Sequence, residues 1–115
     1  MSGSISPAMR HLREQAPESH AQFVALGQSV FAPGALSTHV KELIAVAAAH
    51  VTRCQPCIEI HTRKAREAGA TEAELAEAAF VAVYLSAGGA IAQYRAIQGV
   101  LASEETPRQQ EHTAP

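Results

Sequence analysis

Apolar residues recur along this chain at helical spacing and nowhere alternate, strand-fashion, for more than a few positions. Val and Ile occur, but inside windows rich in alanine and glutamate, so no segment reads as a strand. That pattern restricts the chain to an all-α fold. Asp and Asn are absent altogether, which leaves Ser and Thr to cap most helix starts. Read with those caps and with the Pro and Gly breaks, the sequence divides into about six helices in one domain, residues 1–103, with no internal linker.

The first helix covers 6–15 and is ended by Pro17. The second covers 18–30, with Phe23, Leu26 and Val30 on one stripe, and 31–35 (Phe-Ala-Pro-Gly-Ala) is a turn. Ser37 or Thr38 caps a third helix over 40–51, whose buried side is marked by Leu43, Val46 and Ala47. The fourth opens at Cys54-Gln55-Pro56-Cys57, where Pro56 fits because first-turn N–H groups have no intrahelical partner. Gly69 stands where a left-handed cap would end it. Thr71-Glu72-Ala73-Glu74 is a capping box that opens a fifth helix, expected to stop near Leu85 and to be broken by Gly88-Gly89. A sixth covers 90–102, and residues 104–115, polar and containing Pro107 and Pro115, read as a disordered tail.

Hydrophobic residues make up 47% of the 115 positions, but much of that is alanine, aromatics are 4% and Trp is absent. Alanine buries little area, at about 25 cal/mol per Å². The expected core is thin, and a homo-oligomer is the expected remedy. The net charge of −2, with no basic run, excludes a nucleic-acid footprint. Met1-Ser2-Gly3-Ser4 does not read as a signal peptide, and the apolar run 43–49 is far too short to span a membrane. A cytoplasmic protein is the expectation. In a reducing compartment a close cysteine pair points to catalysis or metal binding rather than to a structural staple.

The two cysteines, Cys54 and Cys57, are the only ones, and His61 follows one turn later. At about 100° per residue the three side chains fall within roughly 60° of each other on a helix. Thiols three apart are neighbours and can close a disulfide with little backbone movement. A thiolate is favoured at a helix N-terminus by the unpaired N–H groups there, and Arg53 adds a positive charge nearby. His61 could exchange a proton with the sulfur of Cys57. One sulfur of such a pair can attack a peroxide and become a sulfenic acid, with which the second condenses to a disulfide. Packing of small apolar side chains explains a single Cys well and this constellation poorly. Zinc held by Cys54, Cys57, His61 and Glu42 is the intermediate reading, weakened by the lack of a second ligand pair spaced like the first. Glu42 alone reads as a first-turn glutamate complementing the helix dipole. Packed antiparallel, the third and fourth helices would bring it toward the cysteines.

Lys41-Glu42-Leu43-Ile44-Ala45-Val46-Ala47, then Cys54-Gln55-Pro56-Cys57-Ile58-Glu59-Ile60-His61, then the segment 65–74 resemble the carboxymuconolactone decarboxylase superfamily, and within it the alkylhydroperoxidase D-like branch. Phe31-Ala32-Pro33-Gly34-Ala35-Leu36 is similar to the entry to that family's core, and the resemblance spans roughly 23–97. It implies a helical bundle around a central antiparallel hairpin, assembled as trimers or, for short members, as hexamers of three dimers. It implies a peroxidase site near a subunit interface with Glu42, Cys54, Cys57 and His61 at the catalytic positions; a small hydroperoxide is the expected substrate, a lipoyl-type dithiol, a thioredoxin-like protein or a small thiol is compatible as reductant, and no cofactor motif is seen in the sequence. By the same analogy Cys57 meets peroxide, Cys54 resolves it, and Glu42 and His61 relay the proton; the reverse order of the cysteines stays open. Gln55 and Pro56 stand where some relatives carry a further His, for which His50 is a candidate substitute.

Two other functions remain beside the peroxidase. One is a decarboxylating lyase, against which the CxxC pair argues; the other is a non-catalytic redox or metal-binding module. Tyr84 and Tyr94 read as core or subunit interface. His11, His20, His39 and His112 read as solvated or structural, and Arg63, Lys64, Arg66 and Glu67 as the solvent face of the fourth helix.

Overall fold

The computed structural model describes residues 6–105, which form six helices and, among the described residues, no strand. They are α1 (Pro7–Gln15), α2 (Pro17–Phe31), α3 (Thr38–Val51), α4 (Gln55–Glu67), α5 (Glu72–Gln93) and α6 (Arg95–Glu105). Their starts follow local chemistry. Ser6 caps α1 ahead of Pro7, and Ser37, not Thr38, caps α3 by accepting from the Val40 N–H at 3.2 Å. At α5 the Thr71 hydroxyl accepts from the Glu74 N–H at 3.1 Å while the Glu74 carboxylate accepts from the Thr71 N–H at 2.8 Å. That reciprocal pair satisfies two donors the helix leaves open.

The ends of α3 and α4 are closed by the same motif. After α4, Gly69 adopts φ 99°, its N–H donates to Arg66 O at 3.0 Å, and the Ala70 N–H donates to Ala65 O at 2.9 Å. After α3, Arg53 adopts φ 57°, its N–H donates to His50 O at 3.3 Å, and the Cys54 N–H donates to Ala49 O at 3.0 Å. Both are Schellman caps. Glycine takes the left-handed position freely, whereas arginine there costs about 1 kcal/mol.

Helix α3 packs against both α4 and α5, and the core sits where the three meet. It consists of Val46 and Ala49 from α3, Ala65 from α4, Ala70 from the turn and Ala82 from α5. The buried side of α3 is therefore set by Glu42, Val46 and Ala49, while Leu43 and Ala47 are only half-buried. The α2 stripe of Phe23, Leu26 and Val30 is exposed, as are Tyr84 and Tyr94.

Two further expectations are corrected. Gly88-Gly89 does not break α5, which runs on to Gln93. Each glycine costs a helix about 1 kcal/mol relative to alanine, which the surrounding alanine, leucine and isoleucine tolerate. The break falls at Tyr94, whose N–H turns back to Ile91 O at 3.0 Å, and α6 starts there rather than at residue 90. Glu104 and Glu105, assigned to the tail, are the last turn of α6; the remainder of that tail and His112 lie outside the described residues.

The protomer leaves much apolar surface uncovered. Phe80 and Ile91 on α5 are 71% and 75% exposed, and α5 carries apolar residues on every side. The span Glu72–Glu105, 34 residues with a mean hydropathy of 1.6 in its most apolar stretch, is long and apolar enough to cross a membrane by length and composition. The run 43–49 is thus not the most membrane-like segment of the described residues. A helix apolar all round is one that needs cover on more than one side.

His39 ties the three core helices together at one end. Its Nδ1 lies 3.0 Å from Ala68 O, beyond α4, and its Nε2 lies 3.1 Å from Glu74 Oε2 on α5. The Ala68 carbonyl and then the Glu74 carboxylate raise the His39 pKa. The Thr71 N–H and then His39 lower that of Glu74. The histidine's contribution is complete below its ordinary value of 6.5 and fades as pH rises through the elevated one. The glutamate's is complete above 4.5 and fades as pH falls through the depressed one. In thermal unfolding, His39→Leu should lower Tm most between about pH 4.5 and 6.5. The gap to wild type should narrow on the alkaline side; a gap independent of pH would show that the ring acts by packing alone.

Candidate active site

Cys54 occupies a pivot. Its N–H completes the cap of α3, and its Sγ is the N-cap group of α4, accepting from the Cys57 N–H at 3.2 Å. Gln55 and Pro56 fill the first two helical positions, so Cys57 follows in the first turn. The two cysteines form a disulfide across a Cα–Cα distance of 5.2 Å, well within the range such a bond requires. The pair therefore lies in the field of the α4 N-terminus, with a backbone N–H aimed at one of its sulfurs.

One turn along α4, the His61 Nδ1 lies 2.6 Å from Oε1 of Glu42 on α3. A carboxylate only accepts, so Nδ1 carries the hydrogen and Nε2 is the ring's free position. Glu42 is 3% exposed and is the buried polar side chain of the described residues; His61 is half-buried. Burial of a charge is costly unless it is paired and hydrogen-bonded, which the imidazole provides. The face of the same imidazole is covered by the Phe31 ring, with centroids 5.0 Å apart and planes inclined by 21°.

The four expected site residues thus fall into two bonded pairs, Cys54 with Cys57 and Glu42 with His61, joined by their placement on α4. No hydrogen bond links His61 to either sulfur among the described residues. His50 takes no part: its Nδ1 lies 2.7 Å from Val46 O in its own helix. The disulfide borders a groove of about 930 Å³ between the α1–α2 arm and α4, lined by Met9, Val24 and Ile60 with His20 and Arg63. Among the described residues no three His, Cys, Asp or Glu side chains come together as a metal site.

Two contacts escaped the sequence reading. His39 precedes Glu42 by three residues, so it shares the buried face of α3, a spacing that was available in the sequence. Phe31 on His61 joins residues thirty apart in chain order and left no local signal.

An all-helical core that presents a disulfide at a helix start beside a carboxylate–imidazole pair defines a class of redox-capable helical proteins. Residues 17–98 match the profile of the carboxymuconolactone decarboxylase family, and the chain belongs to that family. It is 49% identical, over 79 residues, to uncharacterized protein 4 in the cox locus of Paracoccus denitrificans, a match covering 69% of this chain and 71% of that one. A crystal structure from Methanobacterium thermoautotrophicum is 42% identical with a TM-score of 0.68, covering 73% of this chain and 94% of the other. A carboxymuconolactone decarboxylase family protein from Thermotoga maritima, for which a part in an antioxidative response has been suggested, is 30% identical with a TM-score of 0.58, over 84% of this chain and 96% of that one.

Glu42→Gln keeps the shape of the buried side chain and removes its charge. A hydrogen bond to a charged group contributes about 1.5–3 kcal/mol. The amide oxygen can still accept from Nδ1, so urea unfolding should show a loss of about 1 kcal/mol for the variant, with an unchanged m-value; an unchanged midpoint would show that the carboxylate contributes nothing beyond its shape.

Proposed function

We propose that this protein is a thiol-dependent peroxidase that reduces small hydroperoxides through a dithiol/disulfide cycle of Cys54 and Cys57. The observation that carries the reading is the disulfide at the α4 N-terminus, one turn from an imidazole whose Nδ1 is held by a buried carboxylate. The suggested antioxidative role of the Thermotoga relative supports it.

In the cycle, the Cys57 thiolate attacks the terminal oxygen of the hydroperoxide and the O–O bond breaks. His61 Nε2, having taken the proton of the Cys57 thiol, returns it to the departing alkoxide, which leaves as the alcohol, and Cys57 keeps the terminal OH as a sulfenic acid. Cys54 then attacks the Cys57 sulfur, water departs, and the disulfide forms. An external dithiol or thioredoxin-like protein returns two electrons and is itself oxidised. The Cys57 N–H at the Cys54 sulfur stabilises charge there, which suits Cys54 to be the resolving nucleophile and, on reduction, the leaving thiolate. Glu42 steadies His61 as it takes up and gives up the proton.

The active form is a homo-oligomer in the cytoplasm, a trimer or a hexamer of three dimers, in which the apolar faces of α2, α5 and α6 are covered by other copies. The large apolar side chains exposed on α2, α5 and α6, among them Phe23, Phe80, Ile91 and Val100, support this reading. Sedimentation should find no monomer at micromolar concentration, and a monomer with the same activity would remove oligomerisation from the proposal.

The decisive experiment is titration of the reduced protein with an alkyl hydroperoxide, followed by mass mapping of the Cys54–Cys57 peptide. One equivalent of peroxide should yield one disulfide and one alcohol. Cys57→Ser should abolish the reaction, Cys54→Ser should stop at a sulfenic acid, and Glu42→Gln should slow it by about 100-fold. Peroxide that leaves both thiols free would refute the peroxidase. Turnover of a small lactone by the Cys54→Ser, Cys57→Ser double variant would establish a decarboxylase in its place.

A further inference from the structure

We propose that Phe31 is a positioning residue for His61, fixing the plane of the imidazole and hence the direction of its free Nε2. The catalytic consequence rests on the peroxidase reading; the geometry does not. Glu42 grips the ring at one point, Nδ1, at 2.6 Å. A single hydrogen bond at the ring edge fixes a point and leaves the plane free to tilt. The Phe31 ring lies over the imidazole face at 5.0 Å between centroids and 21° between planes, an offset stack. Edge and face together define one orientation.

Phe31 is itself held. It is the last residue of α2, and its carbonyl accepts from the Thr38 hydroxyl at 2.9 Å. The next carbonyl, of Ala32, accepts from Lys41 Nζ at 2.6 Å. Both donors stand at the start of α3, the helix that carries Glu42. One helix therefore places the carboxylate at the imidazole edge and anchors the ring over its face. Phe31 is only half-buried and is not part of the alanine-rich core where α3, α4 and α5 meet, so its placement answers to His61 rather than to core packing. Its cover also keeps water from the ring face, which strengthens the bond to Glu42.

The test compares Phe31→Leu, Phe31→Tyr and Thr38→Val with wild type, using the full chain labelled with ¹⁵N. Two readouts are taken: the His61 ring nitrogen shifts in the reduced protein without peroxide, and the rate of peroxide-driven disulfide formation. Wild type should show one tautomer, with hydrogen on Nδ1. Phe31→Leu should shift His61 toward a mixture and slow disulfide formation roughly 3- to 10-fold, the range an aromatic pair contributes. Phe31→Tyr, which keeps the ring, should restore both, and Thr38→Val, which loosens the anchor, should move both in the direction of Phe31→Leu. An unchanged His61 spectrum in Phe31→Leu overturns the proposal, as does a rate loss that Phe31→Tyr does not rescue. Should Phe31→Leu fail to fold, an unchanged His61 spectrum in Thr38→Val overturns it. A wild-type protein that forms no disulfide with peroxide defeats the peroxidase reading, and the spectra alone then decide the role of Phe31.

Discussion

The arrangement turns on a carboxylate placed where water cannot reach it. Glu42 sits on the face of α3 that meets α4 and α5, among alanines and a valine that offer it nothing. An unpaired charge there would cost several kcal/mol, a large fraction of what a domain of this size has in hand. His61 removes that cost only if α4 lies beside α3 at one register, with the second turns of the two helices facing each other. Small side chains cannot enforce such a register by shape, because alanine against alanine slides easily. The ion-capable pair supplies the directionality that the core lacks, and the cysteines, four and seven residues before His61, are placed by the same constraint.

Much of this was legible in the chain. Ser37, the Thr71–Glu74 box, Gly69 and Pro56 act through a few neighbouring residues, so their positions carried over to the structure almost unchanged. That Cys54, Cys57 and His61 lie close together follows from their spacing alone, whereas the approach of Glu42 to His61 depends on how α3 packs against α4. What escaped is non-local or concerns how much a helix will tolerate. Gly88-Gly89 looks like a stop because glycine disfavours helix, yet the strong helix formers on both sides carry α5 across it. The inward side of α3 was misjudged by giving Leu43 and Ala47 weight for their hydrophobicity, whereas the true face runs through His39, Glu42 and Val46, two of them polar. Contacts between distant segments, such as Phe31 with His61, have no signature in spacing.

Among the described residues the buried apolar side chains are four alanines and one valine, and hydrogen bonds at helix ends and two histidine–carboxylate contacts fix how the helices meet. These contacts are directional and sit at the junctions between helices. The protomer's large side chains, by contrast, project from α2, α5 and α6. The division separates two tasks along the sequence: small and polar residues define the geometry of the site, while bulky ones remain for surfaces beyond it.

Cys54 belongs to two helix caps at once, closing α3 with its N–H and opening α4 with its sulfur. The group that closes α3 is main chain, while the group that opens α4 is the side chain that also forms the disulfide. The junction of the two helices and the disulfide thus meet in one residue. A substitution of Cys54 therefore touches the cap of α4 as well as the disulfide.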